Sequence, residues 1–152
     1  MIVFYGPENH SSGLNEIEGG ALSLTSPLSG DLGELFGHVE PITGVGLFQY
    51  RKLFIRNESY NRLTGVKVWF DSEEYSGRLT LGPEFVEDQT IGDTLSTPTG
   101  VLFSGYTNYT SGFSISDLLP YSATGFWLRQ SYSGLSGQDS YATARIYVGW
   151  KP

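Results

Sequence analysis

Apolar and polar residues alternate along six short runs of this 152-residue chain, and clusters of Gly, Ser, Asn and Pro separate the runs. The runs are residues 46–57, 64–71, 77–81, 101–106, 125–131 and 141–150. A period of two places successive side chains on opposite faces of a strand. No stretch of ten residues has the 3.6-residue period of an amphipathic helix. The pattern therefore predicts an all-β fold, an antiparallel β-sandwich or a barrel-like domain of the jelly-roll or Ig-like kind, with long loops such as residues 81–100.

The strongest strand signal is GLFQYRKLFIRN at residues 46–57. Both faces of this run mix polar and apolar side chains, which favours a strand that contacts two environments. The next run, TGVKVWFD at residues 64–71, places Val66, Val68 and Phe70 on one face. A short loop that contains Asn61 links the two runs. We therefore expect these two strands to pair with each other.

The N-terminal part of the chain has a different character. Residues 1–50 hold six acidic and no basic residues, and residues 7–29 are rich in Gly, Ser, Asn and Glu. Glycines limit the one helical candidate, residues 29–37, to a turn or two. Such a segment buries little apolar area to offset the entropy of ordering it. We predict that residues 1–44 form an extended arm ordered mainly against other subunits, and that residues 45–152 form the β-sandwich domain. The alternative is that residues 2–5 pair as an edge strand of their own domain.

The charge and the composition exclude several classes of partner. The net charge of −7 leaves no basic surface to neutralise phosphates, so we predict no nucleic-acid binding. No apolar run approaches the length of a membrane span, and no membrane association is predicted. The N-terminus has no basic region ahead of an apolar run, so no secretory signal is expected. The absence of cysteine excludes disulfides and thiolate sites.

The residues that could carry chemistry are few and scattered. The two histidines, His10 and His38, lie in different irregular segments without an activated serine or a second metal ligand at close spacing. We expect both on the surface or at an interface. Acidic residues occur in two loops, at positions 71, 73, 74, 84, 87 and 88. They could ligate Ca²⁺, but the EF-hand spacing is absent, and solvated side chains are the simpler interpretation. The sequence predicts no enzymatic activity, no catalytic residue, no metal and no cofactor.

Aromatic side chains are abundant in the C-terminal half. One group comprises Tyr106, Tyr109 and Phe113, and a second comprises Phe126, Trp127 and Tyr132. Exposed aromatic rings on a sandwich could stack on sugar rings, as in carbohydrate-binding modules. They could equally be core residues or interface residues, where Tyr and Trp are enriched. For Trp69 and Phe126 we predict the core.

Residues 19–57, GGALSLTSPLSGDLGELFGHVEPITGVGLFQYRKLFIRN, resemble small structural proteins of tailed bacteriophages. The shared features are a Gly-Gly start, a segment ending in Leu-Phe, an acidic-Gly turn, and a Tyr-Arg strand that closes on Arg/Lys-Asn. The matching positions are Gly19, Gly20, Leu35, Phe36, Glu40, Gly46, Tyr50, Arg51, Arg56 and Asn57. The valine-rich run at residues 64–71 is similar to the family's second strand.

The resemblance implies a capsid decoration or cement protein, located on the capsid surface of the virion and made in the host cytoplasm. Its partner would be the major capsid protein, and decoration proteins commonly form homotrimers at local three-fold axes. The alternative is a tail, baseplate or receptor-binding β-sandwich that binds carbohydrate.

Six residues are predicted to contact partners. Phe4, Tyr5, Leu35 and Phe36 are the apolar anchors of the predicted arm. Arg51 and Arg56 belong to the strand at residues 46–57. Arg51 shares a face with apolar neighbours, so we also expect it to be structural and paired with an acidic residue of its own chain or of a neighbouring subunit, because an unpaired buried charge is costly.

Overall fold

The structure, a computed structural model, describes residues 1–10, 17–28, 48–71, 79–106, 108–131 and 145–151. These residues form nine β-strands and no helix. The strands are β1 (Ile2–Asn9), β2 (Glu18–Pro27), β3 (Phe48–Asn57), β4 (Thr64–Asp71), β5 (Leu79–Pro83), β6 (Thr90–Ile91), β7 (Phe113–Ser114), β8 (Ala123–Ser131) and β9 (Arg145–Lys151). No helix that could cross a membrane occurs in this part of the chain.

The strands make two antiparallel sheets that pack face to face. The larger sheet has the order β5-β8-β3-β1-β2-β6, and the smaller sheet has the order β7-β4-β9. The main core contains residues from both sheets, including Leu53, Ile55, Phe126 and Leu128 of the larger and Val66, Val68 and Phe70 of the smaller. The all-β antiparallel fold predicted from the alternating runs is confirmed.

Strand β3 lies at the centre of the larger sheet. It pairs with β8 from Phe48 to Arg56 and with β1 through Phe54 to Asn57, so both of its edges are occupied. One face contributes to the core between the sheets. The other face contacts a second apolar cluster, which holds Tyr50, Trp127 and residues of the long loop after β5. The two environments expected for this strand are therefore the two sides of the larger sheet.

The expected pairing of β3 with β4 is wrong. Strand β4 belongs to the smaller sheet, where it pairs with β7 and β9. The chain crosses from one sheet to the other after Asn57, whose side-chain amide donates to the carbonyls of Asn61 and Leu118. The run at residues 101–106 is not a regular strand either, because only Ser104 forms an isolated bridge, with Leu81.

The N-terminal segment is not irregular where the structure describes it. Strand β1 lies between β3 and β2 inside the larger sheet, and β2 pairs with β6. Gly19 explains the misinterpretation: its φ is +110°, and a Cβ there would lie 2.3 Å from the Gln89 carbonyl oxygen. The glycines allow a close backbone approach and do not mark a loop. The folded domain therefore includes residues that we assigned to the arm, while residues 29–44, with the helical candidate, lie outside the described part.

Candidate functional site

A cluster of charged groups is buried between β2, β3 and the loop after β5. The ammonium group of Lys52 is fully buried, forms an ion pair with Glu84, and donates to the carbonyls of Gly20 at 2.8 Å and Gln89 at 3.2 Å. These three acceptors match the three donors of a lysine. The cluster thus ties β2 and the loop to the centre of the sheet.

Glu18 extends this charged cluster toward β1. Its carboxylate is fully buried and accepts a hydrogen bond from the backbone N–H of Lys52 at 3.1 Å. The same oxygen lies 3.1 Å from Nδ1 of His10. Of the two positions expected for His10, the exposed surface is wrong, because the side chain packs against the buried carboxylate of Glu18. The interface stays a prediction. His38 lies outside the described residues.

A groove of about 650 Å³ opens beside this cluster and contains the carboxylates predicted to be solvated in the second loop. Glu87 and Asp88 are exposed at its rim, and Glu84 is held by Lys52. The side chains of the first loop, at positions 71, 73 and 74, lie outside the described ones. Across the described ranges, no group of three His, Cys, Asp or Glu side chains is placed to hold a metal ion.

A second feature is a surface patch formed by Tyr5, Arg56, Glu58, Tyr60 and Tyr121, here called the tyrosine patch. At its base, one oxygen of Glu58 accepts hydrogen bonds from the Tyr5 hydroxyl at 2.7 Å and from Nη1 of Arg56 at 2.5 Å. The bond from Tyr5, followed by the bond and charge of Arg56, lowers the pKa of Glu58. The bond to Glu58 in turn raises the pKa of Tyr5.

Two tyrosine rings stand on this base. Tyr60 is 86 % exposed and meets Tyr121 edge to face, with ring centroids 5.5 Å apart. Arg56 contacts Tyr121 twice: its guanidinium lies 5.8 Å from the ring centroid, and its Nε donates to the Tyr121 carbonyl at 3.1 Å. Hydrogen bonding with Tyr60 raises the pKa of Tyr121. Tyr121 has a φ of +59°, a left-handed conformation that is unfavourable for a bulky residue.

Asn57 positions both loops of the tyrosine patch. Its carbonyl accepts the N–H of Tyr121 at 2.9 Å, and its own N–H donates to Ser122 at 3.0 Å. Its side chain is buried and bonds Asn61 in one loop and Leu118 in the other. The tyrosine rings are therefore displayed on a backbone that is tied to the central strand.

A third feature is the outer face of the smaller sheet. Trp69 lies there and is only partly buried, so its assignment to the core is wrong, whereas Phe126 is fully buried as predicted. The alternation of β4 gives the reason, because Val68 and Phe70 face the core and Trp69 must face outward. Its ring meets the rings of Tyr109 and Tyr147.

The structure brings together two of the six predicted partner residues. Tyr5 and Arg56 meet at Glu58, although they are far apart in sequence. Phe4 packs against the main core. Arg51 is fully buried in the central strand and its Nη1 donates to the carbonyl of Tyr50 at 3.0 Å, so it is not on the surface offered to a partner. Leu35 and Phe36 lie outside the described residues.

The sequence reasoning missed Tyr60 and Tyr121. One local signal was present, since Asn57-Glu-Ser59 forms a turn in which the Asn57 side-chain oxygen accepts from the N–H and the hydroxyl of Ser59. Asn side chains that bond the backbone two residues on are typical of turns, and Tyr60 directly follows this one. No local pattern indicates that Tyr121, from a distant loop, meets it. No protein-family model matches the chain, and no similar protein was found among curated proteins or among solved structures.

Proposed function

We propose that this chain is a non-enzymatic structural protein of a tailed-phage virion that binds the outside of the capsid and stabilises it. The tyrosine patch makes the contact with the major capsid protein. The observation that carries the proposal is the pair of exposed tyrosine rings held on a hydrogen-bonded, charge-paired base.

The composition of the patch supports a protein contact. Tyr and Arg are the residue types most enriched among the side chains that dominate binding energy at interfaces. Tyr60 exposes most of its ring, which it would bury on contact. The Arg56 charge is already balanced by Glu58, so a partner has little net charge to neutralise there.

The rigidity of the patch supports the same conclusion. Binding costs less entropy when the contacting side chains are already ordered. Arg56 holds Tyr121 in its left-handed conformation, and Asn57 fixes both loops. Local backbone strain of this kind persists where the surrounding structure enforces it, and it is concentrated at functional sites.

The non-enzymatic part of the proposal rests on how the ionisable groups are used. His10 is engaged by Glu18, and Lys52 is engaged by Glu84 and two carbonyls. These side chains are engaged in contacts that link segments of the fold, and they are therefore poorly placed to react with a substrate. The capsid, the major capsid protein and a homotrimeric state come from the resemblance of residues 19–57 to phage structural proteins.

A capsid-loading experiment tests the proposal. Capsids are prepared from a mutant of the encoding phage that lacks this reading frame, and the purified protein is added back. We expect co-sedimentation at a fixed ratio and a higher capsid melting temperature. Tyr60→Ala should weaken loading by about tenfold, the size of a typical interface hot spot. Circular dichroism checks that the variant is folded.

The matched control is Leu102→Ala, because Leu102 is an 80 % exposed apolar residue of a different loop. It should load like the wild type. If the wild-type protein does not bind or stabilise capsids, the function is wrong. If Tyr60→Ala loads as well as Leu102→Ala, the capsid is contacted by another surface.

A further inference from the structure

The outer face of the smaller sheet carries aromatic rings and lysines side by side. On β4, Lys67 and Trp69 face outward because Val66 and Val68 face the core. On β9, Val148 packs against the core, so the alternate positions, Tyr147, Gly149 and Lys151, lie on the outer side. Antiparallel pairing sets Trp69 opposite Tyr147 and Lys67 opposite Gly149. We call the group Lys67, Trp69, Tyr109, Tyr147 and Lys151 the aromatic platform.

The rings of the platform have a definite arrangement. The planes of Trp69 and Tyr147 are inclined by only 13°, and their centroids are 5.8 Å apart. Tyr109 meets Trp69 edge to face at 82°, with centroids 5.5 Å apart. Tyr147 is 36 % exposed, so part of its ring is accessible to solvent. Two nearly parallel rings thus adjoin a third ring that supports one of them.

Gly149 lets the Trp69 ring lie close to the sheet. A Cβ at this position would lie 2.9 Å from Cη2 of Trp69, closer than real contacts allow, and 3.1 Å from Cδ2 of Tyr109, which is tighter than most real contacts. Any larger residue would push these rings away from the backbone. The glycine therefore serves the placement of the rings, and its φ is not in the left-handed range that would otherwise explain it.

The charge at the platform is opposite in sign to that of the whole chain. The Lys67 ammonium lies 5.2 Å from the Tyr109 centroid and donates to the Thr110 carbonyl at 3.1 Å, which uses one of its three donors. Lys151 is exposed on the same side of β9, and its stem runs along Gly65. Lys67 therefore borders a ring, and Lys151 adds a second cation further along the same face, in a chain whose net charge is −7.

We propose that the aromatic platform binds an acidic saccharide. The C–H face of a pyranose ring packs against the outer face of the Tyr147 ring, whose other face stacks on Trp69. The faces of aromatic rings carry negative charge that attracts polarised C–H groups. The carboxylate of the sugar is bound by Lys67 and Lys151. Nucleic acid would also stack on such rings, but it requires a basic groove along a backbone, and the net charge of the chain opposes that.

This site is independent of the tyrosine patch, since the two share no residue. The test is a glycan array containing uronic-acid and sialic-acid oligosaccharides, each printed beside the neutral methyl ester of its carboxylate. We expect binding to at least one acidic oligosaccharide and at least fivefold weaker binding to its ester. The best probe is then titrated in solution, with tryptophan fluorescence as the readout, in a Trp150→Phe background that removes the exposed Trp150. Trp69 then reports contact, because its ring stacks on Tyr147 while Trp127 is buried.

Two variants locate the site. Tyr147→Ala removes the exposed ring and Lys67→Gln removes one charge, and each should lower affinity by about tenfold. Only the effect of Lys67→Gln should shrink as salt is raised, because salt screens exposed charges. Tyr60→Ala is the control, and it should bind the saccharide like the wild type. Melting curves confirm that each variant is folded.

Three results would overturn the inference. One is the absence of binding to every acidic oligosaccharide on the array. Another is equal binding of the acid and its ester, which would remove the role of the lysines. The last is unchanged affinity in a folded Tyr147→Ala protein, which would place the ligand elsewhere. A failure here leaves capsid loading unaffected, because that assay depends on Tyr60.

Discussion

The buried cluster around Lys52 and the tyrosine patch around Arg56 contain the same kinds of side chain, but the first is enclosed in the fold and the second lies on the surface. Each pairs a cation with a glutamate beside aromatic rings. Lys52 is enclosed completely, and all its partners belong to other segments of the fold. Arg56 is partly exposed, and the rings beside it point into solvent. Burial makes the first pair a link between strands, and exposure makes the second a support for rings that stand in solvent.

The largest expected effect breaks the buried cluster. Lys52→Met should lower the free energy of unfolding by about 3–5 kcal/mol, because it leaves the carboxylate of Glu84 without its cation at a largely buried site. Equilibrium unfolding in urea measures the loss. Adding Glu84→Gln to the variant should recover part of it, since the stranded charge is then removed.

An exposed ion pair provides the control for Lys52. Arg62 is paired with Asp117, which it reaches at 2.5 Å, but the Arg62 side chain is 59 % exposed. Arg62→Met should change stability little, because solvent screens such pairs. Equal losses in Lys52→Met and Arg62→Met would contradict the contrast between a buried and an exposed pair.

An intermediate effect should come from Asn57, which links the central strand to the tyrosine patch. Asn57→Ala leaves the carbonyls of Asn61, Leu118 and Leu119 without their shared donor. We expect a loss of about 2 kcal/mol in urea unfolding, together with weaker capsid loading. Asn61→Ala is the control, because it keeps the carbonyl that accepts the bond. A normal capsid affinity in the destabilised Asn57→Ala protein would show that the loops hold their shape without it.

The smallest effect concerns pH and Glu58. Its pKa is lowered in the folded protein, chiefly by the bond from Tyr5, from an ordinary value of 4.5. A lowered pKa contributes stability that is present above pH 4.5 and is lost as the pH falls through the folded value. In an NMR titration, Tyr5→Phe should move the Glu58 pKa back toward 4.5. The melting temperatures of wild type and Glu58→Gln should converge as the pH falls below 4.5. An unchanged Glu58 pKa in Tyr5→Phe would mean that Arg56, and not the bond from Tyr5, lowers the pKa of Glu58.

Local patterns predicted the elements whose residues alternate strongly. The valines of β4 and the apolar residues of β8 indicate strands because the period of two is a property of neighbouring residues. The same alternation failed at residues 101–106, where Val101 joins the second apolar cluster from a loop. Alternation also could not identify β2. Glycines such as Gly19 and Gly20 are typical of loops, and only the folded structure shows that Gly19 lies close to the backbone of Gln89.

The candidate sites were harder to predict than the strands. Tyr5 and Arg56 were selected for separate reasons, and only the pairing of β1 with β3 places both at Glu58. Tyr60 and Tyr121 come from loops that no short-range pattern connects. Trp69 was assigned to the core on its residue type, and its position in the alternation would have been the better guide.

What the sequence by itself determined is the all-β class and the faces of the well-patterned strands, because each depends on local periodicity. The tertiary structure alone decided which strands are neighbours, which charges are buried and which rings share a surface. These depend on contacts between residues distant in the chain, such as Lys52 with Glu84 and Arg56 with Tyr121. The free energy of such contacts is set by burial, and burial exists only once the two sheets have packed.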